Sequence, residues 1–203
     1  MGILTLAEYR TDIEAALGSR AYGTILTDQW TNSAYYEVSG VMEHPEMFNT
    51  FSVPTVASTS SYAGPTNSIG WRFVEDVDND TVLEFIALED FYRRSRVTEG
   101  VPDKWTRTID TLVLHPTPNA IINLKIHYTL EPTALSSSGH KTILPAMWDH
   151  AVFLLAVERG HLHAHEENRA ALWRNNAVTY IQGLMTQRMI ATSQFDLAVP
   201  QGA

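Results

Sequence analysis

The chain has 203 residues, 44% of them hydrophobic and 18% charged, with no cysteine and a formal net charge of −9. This excludes a disordered chain, supplies about one domain's worth of core, and rules out disulfides, thiolate metal sites and thiol nucleophiles. The acidic balance argues against wrapping nucleic acid, and the longest apolar run, Ala151 to Val157, is far short of the roughly 20 residues that span a bilayer, so the chain reads as soluble and without a membrane partner. The opening MGILTLAEYR lacks the basic start and long apolar run of a secretory leader.

The first element reads as a helix. Thr5 followed by Glu8 has capping-box spacing; Leu6, Tyr9, Ile13, Ala16 and Leu17 recur at helical intervals, and Gly18 is placed to end the run. A second helix is predicted from Thr27 or Asp28, with Leu26, Trp30, Ala34 and Val38 on one stripe and Gly40 as its breaker. The segment Met42 to Phe48 suits a short helical turn around Pro45.

From about Asn49 the period changes from helical to two. Strands are predicted at Thr50 to Val53, Ser68 to Val77, Thr81 to Ala87, Lys104 to Ile109, Thr111 to Leu114 and Ala120 to Leu130. Asp78-Asn79-Asp80 and His115-Pro116-Thr117-Pro118-Asn119 are turn signals, and Leu88 to Arg93 fits one helical turn. The last strand has the clearest alternation, with Ile122, Leu124, Ile126, Tyr128 and Leu130 on one face. Ser136-Ser137-Ser138-Gly139 reads as a flexible link. Pro145 then suits the start of a central helix to about Arg159, which Gly160 interrupts. A further helix follows from about His165 to Ile190, with Ala170, Trp173, Ala177, Ile181 and Leu184 inward.

The predicted class is α+β. Helices from both ends (1–48 and 134–192) form one bundle, an antiparallel β subdomain (49–133) is inserted between them, and 193–203 is an extended C-terminal arm.

Few constellations suggest chemistry. His161 and His165 stand four apart, near Glu158 and Glu166, and such a set can ligate zinc and activate water. The nearest motif, H-E-x-x-H, fails because Arg169 stands where the second histidine belongs. Trp148-Asp149-His150 reads as a helix start, since adjacent helical residues do not face each other. No phosphate-binding glycine loop or nucleophile elbow is present in the sequence. The charges fall in blocks: residues 71–90 carry a net −6, while 91–107, with Arg93, Arg94, Arg96, Lys104 and Arg107, carry a net +3. These blocks fit a solvated face, head-to-tail contacts between copies, or a nucleic-acid backbone.

The order of motifs resembles the head-to-tail adaptor (connector, neck) proteins of tailed bacteriophages. The carrying stretches are LTLAEYRTDIEAALG, TDQWTNSAYYEVSG, HPEMFNT, GVPDKW, DTLVLHPTPN with its following strand, and LPAMWDHAVFLLAVERGH. The likeness covers roughly residues 3–165 and leaves out the histidine run and the tail after Ile190.

The resemblance implies a structural virion protein with no enzymatic role, no catalytic or metal site and no cofactor. It implies a ring beneath the portal, usually of about twelve copies, that extends the DNA channel and joins capsid to tail. Its partners are then other copies of itself, the portal protein, stopper or tail proteins, and passing double-stranded DNA read without sequence specificity. It would reside in the virion neck after assembly in the host cytoplasm. The arm would place Phe195, Leu197 and Val199 as apolar anchors on the portal, with Arg93, Arg94 and Arg96 at an interface. The alternatives are a metal-dependent hydrolase using the His/Glu cluster at 158–166, or a neighbouring neck component such as a stopper or tail-completion protein.

Overall fold

A computed structural model describes residues 3–41, 44–93 and 98–197, with side chains described as far as Gln187. The class is α+β, with five α-helices and a seven-stranded sheet among the described residues. Two compact units divide the chain: Met1–Glu46 with Pro132–Ala203, and Met47–Glu131.

The first unit is helical: α1 (Leu6–Ala16), α2 (Thr24–Val41), α4 (Asp149–His163) and α5 (Glu167–Leu197), with a short 3-10 turn at Ala146–Trp148 before α4. Thr5 caps α1 through a complete capping box with Glu8. Helix α4, apolar on nearly all sides, packs against α1, α2 and α5, and Ala151, Val152, Leu155, Ala156 and Val157 are all buried. Gly18, at φ 78°, follows the end of α1 as expected, but the other two glycines expected to stop a helix do not. Gly40 lies inside α2, and Gly160 lies inside α4. At Gly160 the missing side chain serves packing, because a Cβ there would collide with the Leu17 side chain.

The link at 136–139 is tied down rather than loose. Leu6 N donates to the His140 carbonyl at 2.9 Å and Ala7 N to the Ser138 carbonyl at 3.1 Å, so this stretch receives the free amides at the start of α1. Just before it, Asn32 brackets Leu135, accepting from its N–H at 2.7 Å and donating to its carbonyl at 3.0 Å. Helix α5 runs on through Leu197, so Ser193 to Leu197, the start of the expected extended arm, is helical.

The second unit holds β1 (Phe48–Pro54), β2 (Ser61–Ala63), β3 (Ser68–Asp76), β4 (Thr81–Phe85), α3 (Leu88–Tyr92), β5 (Glu99–Gly100), β6 (Lys104–Thr108), β7 (Thr111–His115), β8 (Thr117–Pro118) and β9 (Asn123–Leu130). The main sheet runs β1-β9-β3-β4-β6-β7-β2, and β5 pairs β8 separately. Its neighbours are antiparallel except β4 and β6, which run parallel with Glu84 opposite Lys104 and Phe85 opposite Trp105. The sheet is thus mainly antiparallel, as expected, with one parallel pair. The segment after β4 passes through α3 and returns in the same direction, and a parallel pair requires such a crossover. The alternation in β9 supplies the centre of the core: Ile122, Leu124, Ile126 and Tyr128 bury against Val53, Val74, Leu83, Trp105, Leu112 and Leu114.

Candidate functional site

The histidine run does not converge. α4 ends at His163 and the chain reverses through Ala164 to Glu166, with His165 in the left-handed region at φ 58° and Glu166 N donating to the His161 carbonyl. His161 is 3% exposed, and its Nδ1 shares a hydrogen bond with Glu166 Oε2 at 2.8 Å. Glu166 also meets Arg20 at 3.1 Å and Arg169 at 3.3 Å. The His161 hydrogen bond, with Arg169 and Arg20 adding to it, holds the Glu166 carboxyl below the usual carboxylate range. His163 instead packs its ring against Trp30 and Tyr22. Among the described residues no three His, Asp or Glu side chains group as a metal ion requires. The arrangement joins the α1–α2 loop to the α4–α5 reversal.

Glu158 belongs to a different cluster. Arg159 reaches Glu37 at 2.5 Å and Glu158 at 3.8 Å, while Arg174 reaches Glu37 at 2.7 Å and Glu158 at 3.7 Å. Two cations and two anions thus link α2, α4 and α5. Burial raises the Glu37 pKa, but the hydrogen bonds from Arg174 and Arg159 outweigh it and leave the carboxyl below its ordinary value. At Glu158 burial dominates and pushes the pKa up against the pull of both arginines.

A third polar centre escaped the sequence reading. Asp149, 3% exposed, accepts from Ile3 N at 2.5 Å and Leu4 N at 3.1 Å through Oδ2. Its Oδ1 accepts from the Tyr9 hydroxyl and the Thr142 hydroxyl, both at 2.9 Å. Burial, then the Asp149 charge, pushes the Tyr9 pKa far above its ordinary value, so the phenol stays a donor. An aspartate in a helix's first turn is too common a pattern to have marked this role.

In the sheet unit the basic block pairs in part with the acidic one, through Lys104–Glu84 and Arg93–Asp90. The parallel register sets Lys104 beside Glu84, at 2.8 Å, and Asp103 lies 2.9 Å from the same amine. Hydrogen bonds to Glu84 and Asp103 raise the Lys104 pKa. Arg107 pairs with Asp110 at 3.3 Å, and Arg93, which is exposed, faces Asp90 at 3.5 Å. Arg94, Arg96 and Val199 lie outside the described residues, as do the side chains of Phe195 and Leu197. The alternate spacing that groups Phe195, Leu197 and Val199 belongs to extended backbone, whereas 193–197 is helical.

The fold leaves large hydrophobic side chains exposed on helices, strands and turns alike, including Ile25 in α2, Val82 in β4, Ile109, Ile121 and Leu172 in α5. No helix among the described residues is long and apolar enough to cross a membrane. The chain matches no curated protein. A family model described as SU10 adaptor protein matches residues 4–198, reaching through the histidine run and past Ile190. With nearly its whole length so matched, the chain belongs to the SU10 adaptor protein family, the phage head-to-tail adaptors that its motif order resembles.

Proposed function

We propose that this protein is a structural adaptor of the virion neck, forming a ring of about twelve copies beneath the portal that extends the DNA channel and joins capsid to tail. The observation that carries the reading is the family match over residues 4–198. In this role residues 1–48 and 134–192 act as one helical body, 49–133 as the β insertion and 193–203 as the portal-gripping arm. Arg93, Arg94 and Arg96 contact neighbouring subunits. Assembly takes place in the host cytoplasm, on the portal, and stopper or tail proteins then dock below.

Physical chemistry supports the reading. A net charge of −9 suits a channel wall that lets duplex DNA slide without gripping it. The polar groups at Asp149, His161 and Glu37 hold helices together, which is structural work. The test is reconstitution with the portal protein of the same phage, read by native mass spectrometry and electron microscopy. A stoichiometric ring on one face of the portal is expected. Binding to a tail component with none to the portal would replace this reading with that of a stopper or tail-completion protein.

A further inference from the structure

The main sheet ends on two unlike edges. β2, at one edge, is three residues long, and an edge strand so short offers little to pair with. β1, at the other, is seven residues long, carries no charged side chain and keeps unbroken register with β9. Folded proteins ordinarily avoid long, regular, uncharged edges, because their free peptide groups accept a further strand. One hydrogen bond shows which groups are free. Thr50 N donates to Asn49 Oδ1 at 2.8 Å, so the Thr50 amide points away from β9. Peptide groups alternate along a strand, so those of Asn49, Phe51 and Val53 serve β9, while those of Phe48, Thr50 and Ser52 face outward. Thr55 N, on the inward side, accordingly donates to the Ile122 carbonyl at 2.9 Å. Pro54, next on the outward side, has no N–H to offer, which an edge position tolerates.

We infer that β1 is a docking edge that takes one more strand from a partner protein, an extended segment alternating apolar and acidic side chains. Main-chain pairing supplies the affinity in this mode, and the two faces beside β1 set the alternation. On the core face Phe51 lies opposite Ile126, which is fully buried, yet Phe51 is 37% exposed because the sheet stops at β1. An apolar side chain on the added strand covers it. Cations flank the edge on the other face. Arg72 lies 3.9 Å over the Phe48 ring. Lys125 stands opposite Ser52 and makes no ion pair among the described residues, since Glu75, its partner on β3, is held by His127 at 2.7 Å. An added strand stands roughly 9–10 Å from β9, two strand spacings, and across the short Ser52 a lysine and a glutamate meet over that distance. The β1 of a second copy brings no acidic side chain to Lys125, so it is the poorer occupant. The inference concerns the sheet unit alone and holds with or without the ring.

The test mixes the full chain with a blocked peptide, as long as β1, that alternates valine and glutamate. Amide exchange followed by NMR should show new protection at Thr50 and Ser52, while Phe51 and Val53, already bonded to β9, stay as they were. Two control peptides bind at least roughly tenfold more weakly, on the order of one lost hydrogen bond or more. One has the same composition with the valines and glutamates in separate blocks; the other is the alternating peptide N-methylated on the amides that face β1. Lys125→Gln weakens the alternating peptide about two- to fivefold, the range of an exposed ion pair. Thr50→Pro sets a ring on the edge, leaves β9 its donors, and abolishes peptide binding; the methylated peptide answers the same question on the unaltered chain. No new protection at Thr50 and Ser52, or equal binding of the block or methylated peptide, overturns the inference. Equal binding of a peptide alternating valine and lysine overturns the acidic partner. Protection of Thr50 and Ser52 that grows with protein concentration alone gives the edge to a second copy and overturns it as well.

Discussion

Replacing Asp149 by alanine tests how the helical unit is held together. Its carboxylate is the shared acceptor for two backbone amides and two hydroxyls, drawn from the segment before α1, from α1 itself, and from Thr142. Tyr9 and Thr142 are fully buried, so their hydroxyls would keep the whole desolvation penalty, about 1–3 kcal/mol each. The amides lie nearer the surface, where Ile3 is exposed, and can turn to water. The summed cost should be about 3–5 kcal/mol, equivalent to roughly 10 °C in the unfolding of this unit. Asp149→Asn should recover less than half, since its amide group would face the Ile3 and Leu4 donors. Tyr9→Phe removes a single donor and should cost about 1–1.5 kcal/mol. Urea unfolding followed by circular dichroism measures all three. An Asp149→Ala chain within about 1 kcal/mol of wild type would refute the assignment of a shared buried acceptor.

The four-charge cluster gives predictions of opposite sign. Glu37→Gln should destabilise by about 0.5–1.5 kcal/mol near neutral pH after allowance for the exposure of its partners. Because the folded Glu37 pKa is depressed, its contribution is present above the ordinary carboxylate value and fades as pH falls through the folded one; the two chains should converge in urea titrations only once the pH lies below the ordinary carboxylate range. Glu158 is raised, so its ionisation opposes folding near neutrality, and Glu158→Gln should leave stability unchanged or increase it. Gly160→Ala should cost about 1–2 kcal/mol, the collision with Leu17 exceeding the gain in helix propensity, and a second change, Leu17→Ala, should remove most of that coupling in a double-mutant cycle. Deleting residues 193–203 should abolish portal binding while the rest of the chain keeps its unfolding transition; retained binding would refute the arm assignment.

Much of the secondary structure could be read from local pattern because the signals there have local causes. The Thr5–Glu8 capping box involves residues three apart, and the β9 alternation follows from one buried face. The elements that escaped are those made by partners distant in sequence. β2, β5 and β8 are two or three residues long and exist only through pairing with β7 and with each other. Gly160 looked like a breaker because its reason, the Leu17 side chain, is more than a hundred residues away. The serine-rich link looked loose because composition does not show which amides it will receive. Charge blocks that seemed segregated along the chain meet across a parallel strand pair. Ile109 read as the end of a strand, since only the backbone conformation shows that it occupies a turn. The family, in contrast, was visible in the order of motifs across the chain, which a single site cannot convey.

Native mass spectrometry of the full chain mixed with its portal protein addresses the adaptor role most directly. A portal carrying one closed ring of about twelve copies is the expected species. Free portal and free monomer at equilibrium, across ionic strengths that preserve both folds, would contradict it.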